Sequence, residues 1–218
     1  MGYNIAIDGP AGAGKSTIAK LVAKKKGYIY VDTGAMYRGM AIHFIKKGIC
    51  PEETKKIAAA CADAKVTIGY EDGVQQIYLN GENVTSMLRE EAVGNMASMS
   101  SAVPAVRAKL LDLQRNLAQE KDVVMDGRDI GTHVLPNADV KIYLTASVEC
   151  RANRRYKELT EKGISCDLEE IAKDIEERDA RDMNREIAPL KQAEDAHLID
   201  SSDMTIDEVV DKICGFLN

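Results

Sequence analysis

Gly9-Pro10-Ala11-Gly12-Ala13-Gly14-Lys15-Ser16 sets a lysine and a hydroxyl at the end of a glycine-rich run with the spacing G-x-x-x-x-G-K-[ST]. The chemistry this permits is the holding of a polyphosphate. Glycines let backbone N–H groups turn inward as an anion nest, a following helix adds its positive end, and an ammonium reaches the outer phosphates. Lys15 is assigned to the β- and γ-phosphates and Ser16 to a magnesium ion. A second group, Asp126-Gly127-Arg128-Asp129-Ile130-Gly131, follows the apolar run Val123-Val124-Met125. A carboxylate placed there can hold the same magnesium, directly or through water, and Asp126 is the candidate. Arg38, Arg107, Arg128, Arg151, Arg154, Arg155, Arg178 and Arg185 are spread over separate segments. Moving a phosphoryl group onto a second phosphate demands several such guanidinium groups, because donor, acceptor and transition state are all anionic.

These residues need a scaffold, and the pattern of the chain supplies one. Ile5-Ala6-Ile7 precedes the loop, a helix-like segment runs from Lys15 through Lys26, and Tyr28-Ile29-Tyr30-Val31 reads as a strand. That is a β-loop-α-β unit, which predicts a parallel sheet with ligands at the carboxyl ends of its strands. At one such end stands Asp32-Thr33-Gly34-Ala35-Met36-Tyr37-Arg38, where Thr33 caps the next helix and Arg38 either looks across the loop or is solvated. Pro51, Glu52 and Glu53 start a helix to about Ala64. From Val66 to Val84, turns at Asp72-Gly73 and Asn80-Gly81 join small antiparallel strands, an insert rather than a continuation of the sheet.

Pro104 opens an amphipathic helix with Val106, Leu110, Leu113 and Leu117 inward, and Arg107 just off that stripe is either solvated or turned to the site. Val140 to Leu144 gives a further strand. Ser147 then caps a helix with Arg151, Arg154 and Arg155 on one face, broken at Gly163. Asp167-x-x-Glu170 begins the next helix, which runs to about Asn184 with Leu168, Ile171 and Ile175 inward, and the two together look like a mobile flap. Arg178, Asp182 and Arg185 share a face there, as an ion-paired surface or as part of the site. His197-Leu198-Ile199-Asp200 is a fifth strand, and Thr205 caps a last helix.

Composition narrows the classes. With 218 residues, 45% of them hydrophobic, the chain can bury one core with room for a small insert. No run approaches 18 apolar residues, and no leader is read at the N-terminus. A net charge of −6 and few aromatics speak against nucleic acid or a membrane as partner. Five cysteines without a C-x-x-C pair suggest reduced thiols in the cytoplasm. A GTP-dependent switch would need N-K-x-D, and no Asn here precedes a Lys. A motor module would leave the arginines idle, whereas a small-molecule phosphotransferase uses them.

Four motifs, the loop from Ile5 to Ser16, Asp32 to Arg38, Asp126 to Gly131 and Arg178 to Arg185, together resemble the bacterial cytidylate (CMP) kinases over almost the whole chain. The resemblance includes the β-rich insert. It implies an α/β P-loop kinase fold, with a five-stranded parallel sheet flanked by helices, in a single domain over 1–218. A small β-rich nucleotide-binding insert would lie at about 63–91 and a helical lid at about 150–168. It implies transfer of the ATP γ-phosphoryl group to CMP or dCMP with Mg²⁺, by a cytoplasmic monomer whose partners are these small molecules alone. Carried over residue by residue, Gly9, Pro10, Ala11, Gly12, Ala13, Gly14, Lys15, Ser16 and Thr17 would hold ATP with Arg151 and Arg155 of the lid. Ser16 and Asp126 would hold the metal. Thr33, Arg38, Arg128 and Arg185 would hold the acceptor phosphate, Ser98, Arg107 and Asp129 would read cytosine, and Arg178 with Asp182 would meet the sugar. Lys15, Arg128, Arg154 and Arg185 would carry catalysis. Shikimate kinase or another nucleoside monophosphate kinase is the alternative, against which the insert and the Gly-Arg-Asp stretch speak.

Overall fold

A computed structural model describes residues 2–217. The first strand, β1 (Asn4–Asp8), is buried from Ile5 onward, as a central strand covered on both faces must be. It feeds the glycine loop, where any Cβ on Gly9 would overlap the Leu144 carbonyl, so only glycine fits there. Helix α1 (Lys15–Lys26) follows and stops at Gly27, which turns left-handed (φ 73°) and donates its N–H to the Ala23 carbonyl. Then come β2 (Ile29–Asp32) and α2 (Thr33–Lys46). The cap of α2 is Asp32, whose carboxylate accepts the Ala35 N–H at 2.9 Å; Thr33, expected to cap, is instead the first helical residue and is buried. An acceptor of fixed charge directly before the helix outcompetes the hydroxyl one place later.

Helix α3 (Thr54–Ala60) is shorter than the composition suggested. Residues 51 and 52 form a turn, and Cys61–Asp63 tightens into a 3₁₀ turn instead of continuing the helix. Strands β3 (Val66–Glu71), β4 (Val74–Leu79) and β5 (Glu82–Asn83) form an antiparallel sheet of three, as expected. Asp72-Gly73 and Asn80-Gly81 both carry positive φ at both positions, the signature of type I′ hairpin turns. After a 3₁₀ turn at Thr85–Arg89 come α4 (Glu91–Ser100) and α5 (Pro104–Glu120). The buried stripe of α5 runs through Val106, Leu110, Gln114 and Ala118 with Arg107 beside it, and Leu113 and Leu117 flank it half-buried.

The remaining elements are β6 (Val123–Gly127), β7 (Val140–Thr145), α6 (Val148–Glu161), α7 (Leu168–Asn184), β8 (His197–Asp200) and α8 (Ile206–Cys214). The strands of the large sheet are ordered β2-β6-β1-β7-β8 and run parallel, with Ile7 opposite Asp126 and Asp8 opposite Gly127. Three of these helices are capped where read: Ser147 accepts the Cys150 N–H, Asp167 accepts from Glu169 and Glu170, and Thr205 with Glu208 closes a full capping box.

The described chain divides into two compact units, Val31–Glu120 and Gly2–Tyr30 with residues 121–217. In the second, Ile5, Ile7, Ile18, Val22, Val124, Ile142, Leu144, Ile199, Val209 and Ile213 form one apolar core. In the first, α2 lies on β3 and β4 so closely that a Cβ at Gly39 would meet Ile77 Cγ2 at 2.9 Å. No helix among the described residues is long and apolar enough to cross a membrane.

Candidate active site

In the unit of residues 2–30 and 121–217, parallel pairing brings the carboxyl ends of β1, β6 and β7 to one edge, and each carries a polar group there. From the β1 end, the Lys15 ammonium lies back across its own loop and donates to the Pro10 carbonyl at 2.7 Å. Burial pushes its pKa down to about 7, the positive Arg128 adds to this, and Asp126, Asp8 and Asp182 oppose it. A buried cation so poorly compensated is suited to receive a polyanion, which would restore what desolvation removes.

From the β6 end, Asp126 is 4% exposed and accepts from the Ser16 hydroxyl at 2.9 Å and the Tyr30 hydroxyl at 2.9 Å, one on each oxygen. Hydroxyl and carboxylate oxygens side by side, next to a phosphate-binding loop, are the hard donors a magnesium-sized ion takes alongside phosphate oxygens, so the residues fit the ion the motif implies. Arg128 donates through Nε to Asp182 at 2.8 Å. Burial works against its charge, but Asp182, Asp126 and Asp179 outweigh this and hold the guanidinium above its ordinary pKa. Asp129 accepts from Arg185 Nη2 at 3.0 Å with both side chains 7% exposed, and Arg185 Nε is fixed on the Ala188 carbonyl. The last turn of α7 and the residue that follows it thus hand Asp182 and Arg185 to the two charged residues after β6.

The three arginines of α6 do not share one environment, although helical spacing predicted a common face. Arg151 is buried, donates to the carbonyls of Ala146 (3.0 Å) and Ala11 (2.9 Å) and pairs with Asp179 at 2.6 Å. Arg154 donates to the Ser201 carbonyl at 2.7 Å and to its hydroxyl at 3.3 Å. Arg155 is turned to solvent, 49% exposed, and pairs with Glu158. The first two lean toward the strand edge, because Ala146 and Ser201 directly follow β7 and β8.

In the other unit, Arg38 folds back over the start of α2, its Nη1 within 3.4 Å of where a Cβ on Gly34 would stand. Arg107, expected at the margin of its helix stripe, is 6% exposed, lies over the Tyr37 ring at 5.8 Å and donates to the Ser101 carbonyl at 3.4 Å. Ser98 is half-buried, and its carbonyl accepts the Ser101 hydroxyl. Arg178 is half-buried on α7, in the unit of residues 2–30 and 121–217.

Three residues the sequence reading passed over hold these groups. Asp8 accepts the Ile130 and Gly131 N–H groups at 2.8 and 2.7 Å, and burial raises its pKa to about 6 against the lowering by those two bonds. Asp179 accepts the Ala11 N–H at 3.3 Å. Gln75, from the small sheet, grips both the N–H and the carbonyl of Asp32. A carboxylate closing the apolar run Ile5-Ala6-Ile7 was the one visible sign of Asp8, Asp179 lay inside the Arg178 to Arg185 motif without a role, and nothing local marked Gln75.

The family model for cytidylate kinase matches residues 5–218. Among similar proteins, the cytidylate kinase of Caldicellulosiruptor bescii is 50% identical over 210 residues, covering 96% of this chain and 93% of that one. That of Ligilactobacillus salivarius is 50% identical over 213 residues, 98% and 95%, and that of Listeria innocua 52% identical over 210 residues, 96% and 93%. Among solved structures, shikimate kinase from Bacteroides thetaiotaomicron superposes with a TM-score of 0.50 at 13% identity over 99% of this chain and 98% of that one, a likeness of fold.

Proposed function

The chain belongs to the cytidylate kinase family, and from that premise we propose that it transfers the γ-phosphoryl group of ATP to the phosphate of CMP or dCMP, giving ADP and CDP or dCDP. An acceptor phosphate oxygen forms a bond to the γ-phosphorus while the bond from that phosphorus to the β,γ-bridging oxygen breaks, and ADP leaves with the electron pair. The attacking oxygen is already anionic, so no strong general base and no covalent intermediate is required. What remains for the protein is positioning and neutralisation of charge.

The observation that carries the reading is the paired set Arg128–Asp182 and Arg185–Asp129 beside the Lys15 loop. Guanidinium groups held in place by carboxylates before the substrate arrives need no reorganisation when charge develops, which is the condition for electrostatic catalysis. Lys15 takes the β- and γ-phosphates, Arg128 and Arg185 the acceptor phosphate, and Arg154 the transferred group. Asp129 accepts from the cytosine amino group. Arg178 and Asp182 meet the sugar, and Thr33, Arg38, Ser98 and Arg107 contribute to the acceptor phosphate and the base. Ser16 and Asp126 would hold Mg²⁺, which supplies neutralisation of the donor phosphates when bound. The stretch at about 150–168 serves as the lid, the insert at about 63–91 belongs to nucleotide binding, and the enzyme works as a cytoplasmic monomer.

A coupled assay of ADP release with ATP against CMP, dCMP, UMP, AMP, dTMP and shikimate tests this. CMP and dCMP should have the highest specificity constants by at least about tenfold, the discrimination one lost polar contact gives. A preference for AMP, dTMP or shikimate would sink the reading.

A further inference from the structure

Gly127-Arg128-Asp129 leaves the sheet at the end of β6, and the two charged residues are followed at once by Ile130 and Gly131, whose N–H groups both point at one carboxylate. That carboxylate is Asp8, the last residue of β1, 4% exposed and covalently joined to Gly9 of the phosphate-binding loop. Each oxygen takes one N–H, at 2.8 and 2.7 Å. The space is tight: a Cβ on Gly131 would stand 3.4 Å from Asp8 Oδ2 and 3.1 Å from Cδ of Lys141, whose own ammonium is fixed on Asp195. From the contact onward, Ile130–Val134 forms a single π-type turn, a wide and unusual backbone.

A buried carboxylate is costly to keep unless it is hydrogen-bonded, and this one spends both oxygens on backbone N–H groups. Both its oxygens accept from the backbone of the residues directly after Arg128 and Asp129. We propose that Asp8 is a positioning residue for acceptor recognition, a strut that ties the loop carrying Arg128 and Asp129 to the strand carrying the phosphate-binding loop. This deepens the proposed function and rests on the assignment of Asp129 to the base and Arg128 to the acceptor phosphate. Asp8 touches neither nucleotide. It fixes where the acceptor-reading side chains stand relative to the donor loop, and it does so through two backbone bonds that no isosteric neutral side chain can reproduce. Asn presents one acceptor and turns an N–H₂ toward the second backbone N–H, leaving two donors face to face.

The test compares wild type, Asp8→Asn and Gly131→Ala, the last of which crowds the contact from the loop side, its Cβ 3.1 Å from Lys141 Cδ and 3.4 Å from the Oδ2 of an intact Asp8. In both variants the Michaelis constant for CMP should rise roughly tenfold or more, the factor one lost buried bond is worth, and the CMP to UMP ratio of specificity constants should fall, while the constant for ATP stays within about twofold. Hydrogen exchange should show the Ile130 and Gly131 amides protected like core strands in the nucleotide-free wild type and exposed in Asp8→Asn. A general loss of packing would instead move the ATP and CMP constants together with the melting temperature, and that result overturns the proposal. So does an unchanged CMP constant in either folded variant, or fast exchange of the two amides in wild type. Should wild type itself prefer an acceptor other than CMP, it is the proposed function that fails.

Discussion

Removing the Asp182 carboxylate strips the Arg128 guanidinium of its 2.8 Å partner and leaves it a hydrogen bond to the carbonyl of its own neighbour Gly127, at 3.4 Å, and the more distant charges of Asp126 and Asp179. The two side chains are 25% and 12% exposed. A fully solvated pair would be worth under about 1 kcal/mol, while deleting one member of a fully buried pair costs about 3–5 kcal/mol. Arg128 keeps a quarter of its surface in water, so Asp182→Ala should lower stability by about 2–3 kcal/mol, below that buried limit. Arg128→Ala should cost a comparable amount. The double variant should cost less than the sum by about 1.5–2 kcal/mol, within the range contacting residues show. Urea denaturation of the four proteins at pH 7, using those with equal m, measures this coupling. It should persist in 0.5 M salt, because a pair out of water is little screened. A coupling under about 0.5 kcal/mol, or one that salt abolishes, would return the pair to the solvated surface and refute the reasoning.

Further outcomes follow from the same geometry. Lys15→Ala should cut turnover by roughly 10²–10³, as loss of a charge-stabilising group does, yet leave melting unchanged or slightly raised, since a desolvated cation has been removed; near-normal turnover would take the loop out of the mechanism. Asp8, raised from 3.8 to about 6, binds its proton in the fold before the unfolded chain does. Its contribution to stability is therefore full below about pH 3.8 and lost as pH rises through about 6. From pH 7 to pH 5 wild type should gain about 1.3 kcal/mol relative to Asp8→Asn, and a flat difference in denaturation free energy would contradict the assignment. Arg154→Ala should lower turnover more than CMP affinity by calorimetry; a collapse of CMP affinity at normal turnover would make Arg154 an acceptor residue.

What could be seen in the sequence was what is local. The loop from Gly9 to Ser16, the strand before Asp126, the hairpin turns at Asp72-Gly73 and Asn80-Gly81 and the caps at Ser147 and Thr205 each declare themselves within a few residues, and all are found. Thr33 was misread because two capping residues adjoin and only geometry chooses Asp32. Helix α4 carries a stripe at helical spacing, Val93, Met96, Ala97 and Ser100, but Gly94 and its many small side chains leave it weak and it was not read. Arg107 read as marginal because periodicity places a residue on a face but says nothing of an aromatic ring above it. Arg155 read as part of a shared face because spacing cannot tell a buried neighbour from an exposed one. Asp179 reaches Ala11 across 168 positions, Asp8 reaches Ile130 across 122, and Gln75 reaches Asp32 across 43. Contacts so distant leave no periodicity, and they are the ones that hold the site residues in place.

The claim that these residues read cytosine and phosphate separately is tested most directly by the specificity constants for CMP and UMP in wild type, Asp129→Asn and Arg38→Ala. Asp129 is buried and held by Arg185, so an added donor there meets the cytosine amino group with the wrong sign, at roughly 1–3 kcal/mol for the lost bond. Asp129→Asn should lower the CMP to UMP ratio by about tenfold or more, mainly by damaging CMP. Arg38→Ala should lower both constants alike and leave the ratio where it was. A ratio unmoved by Asp129→Asn, or strongly moved by Arg38→Ala, would contradict the account.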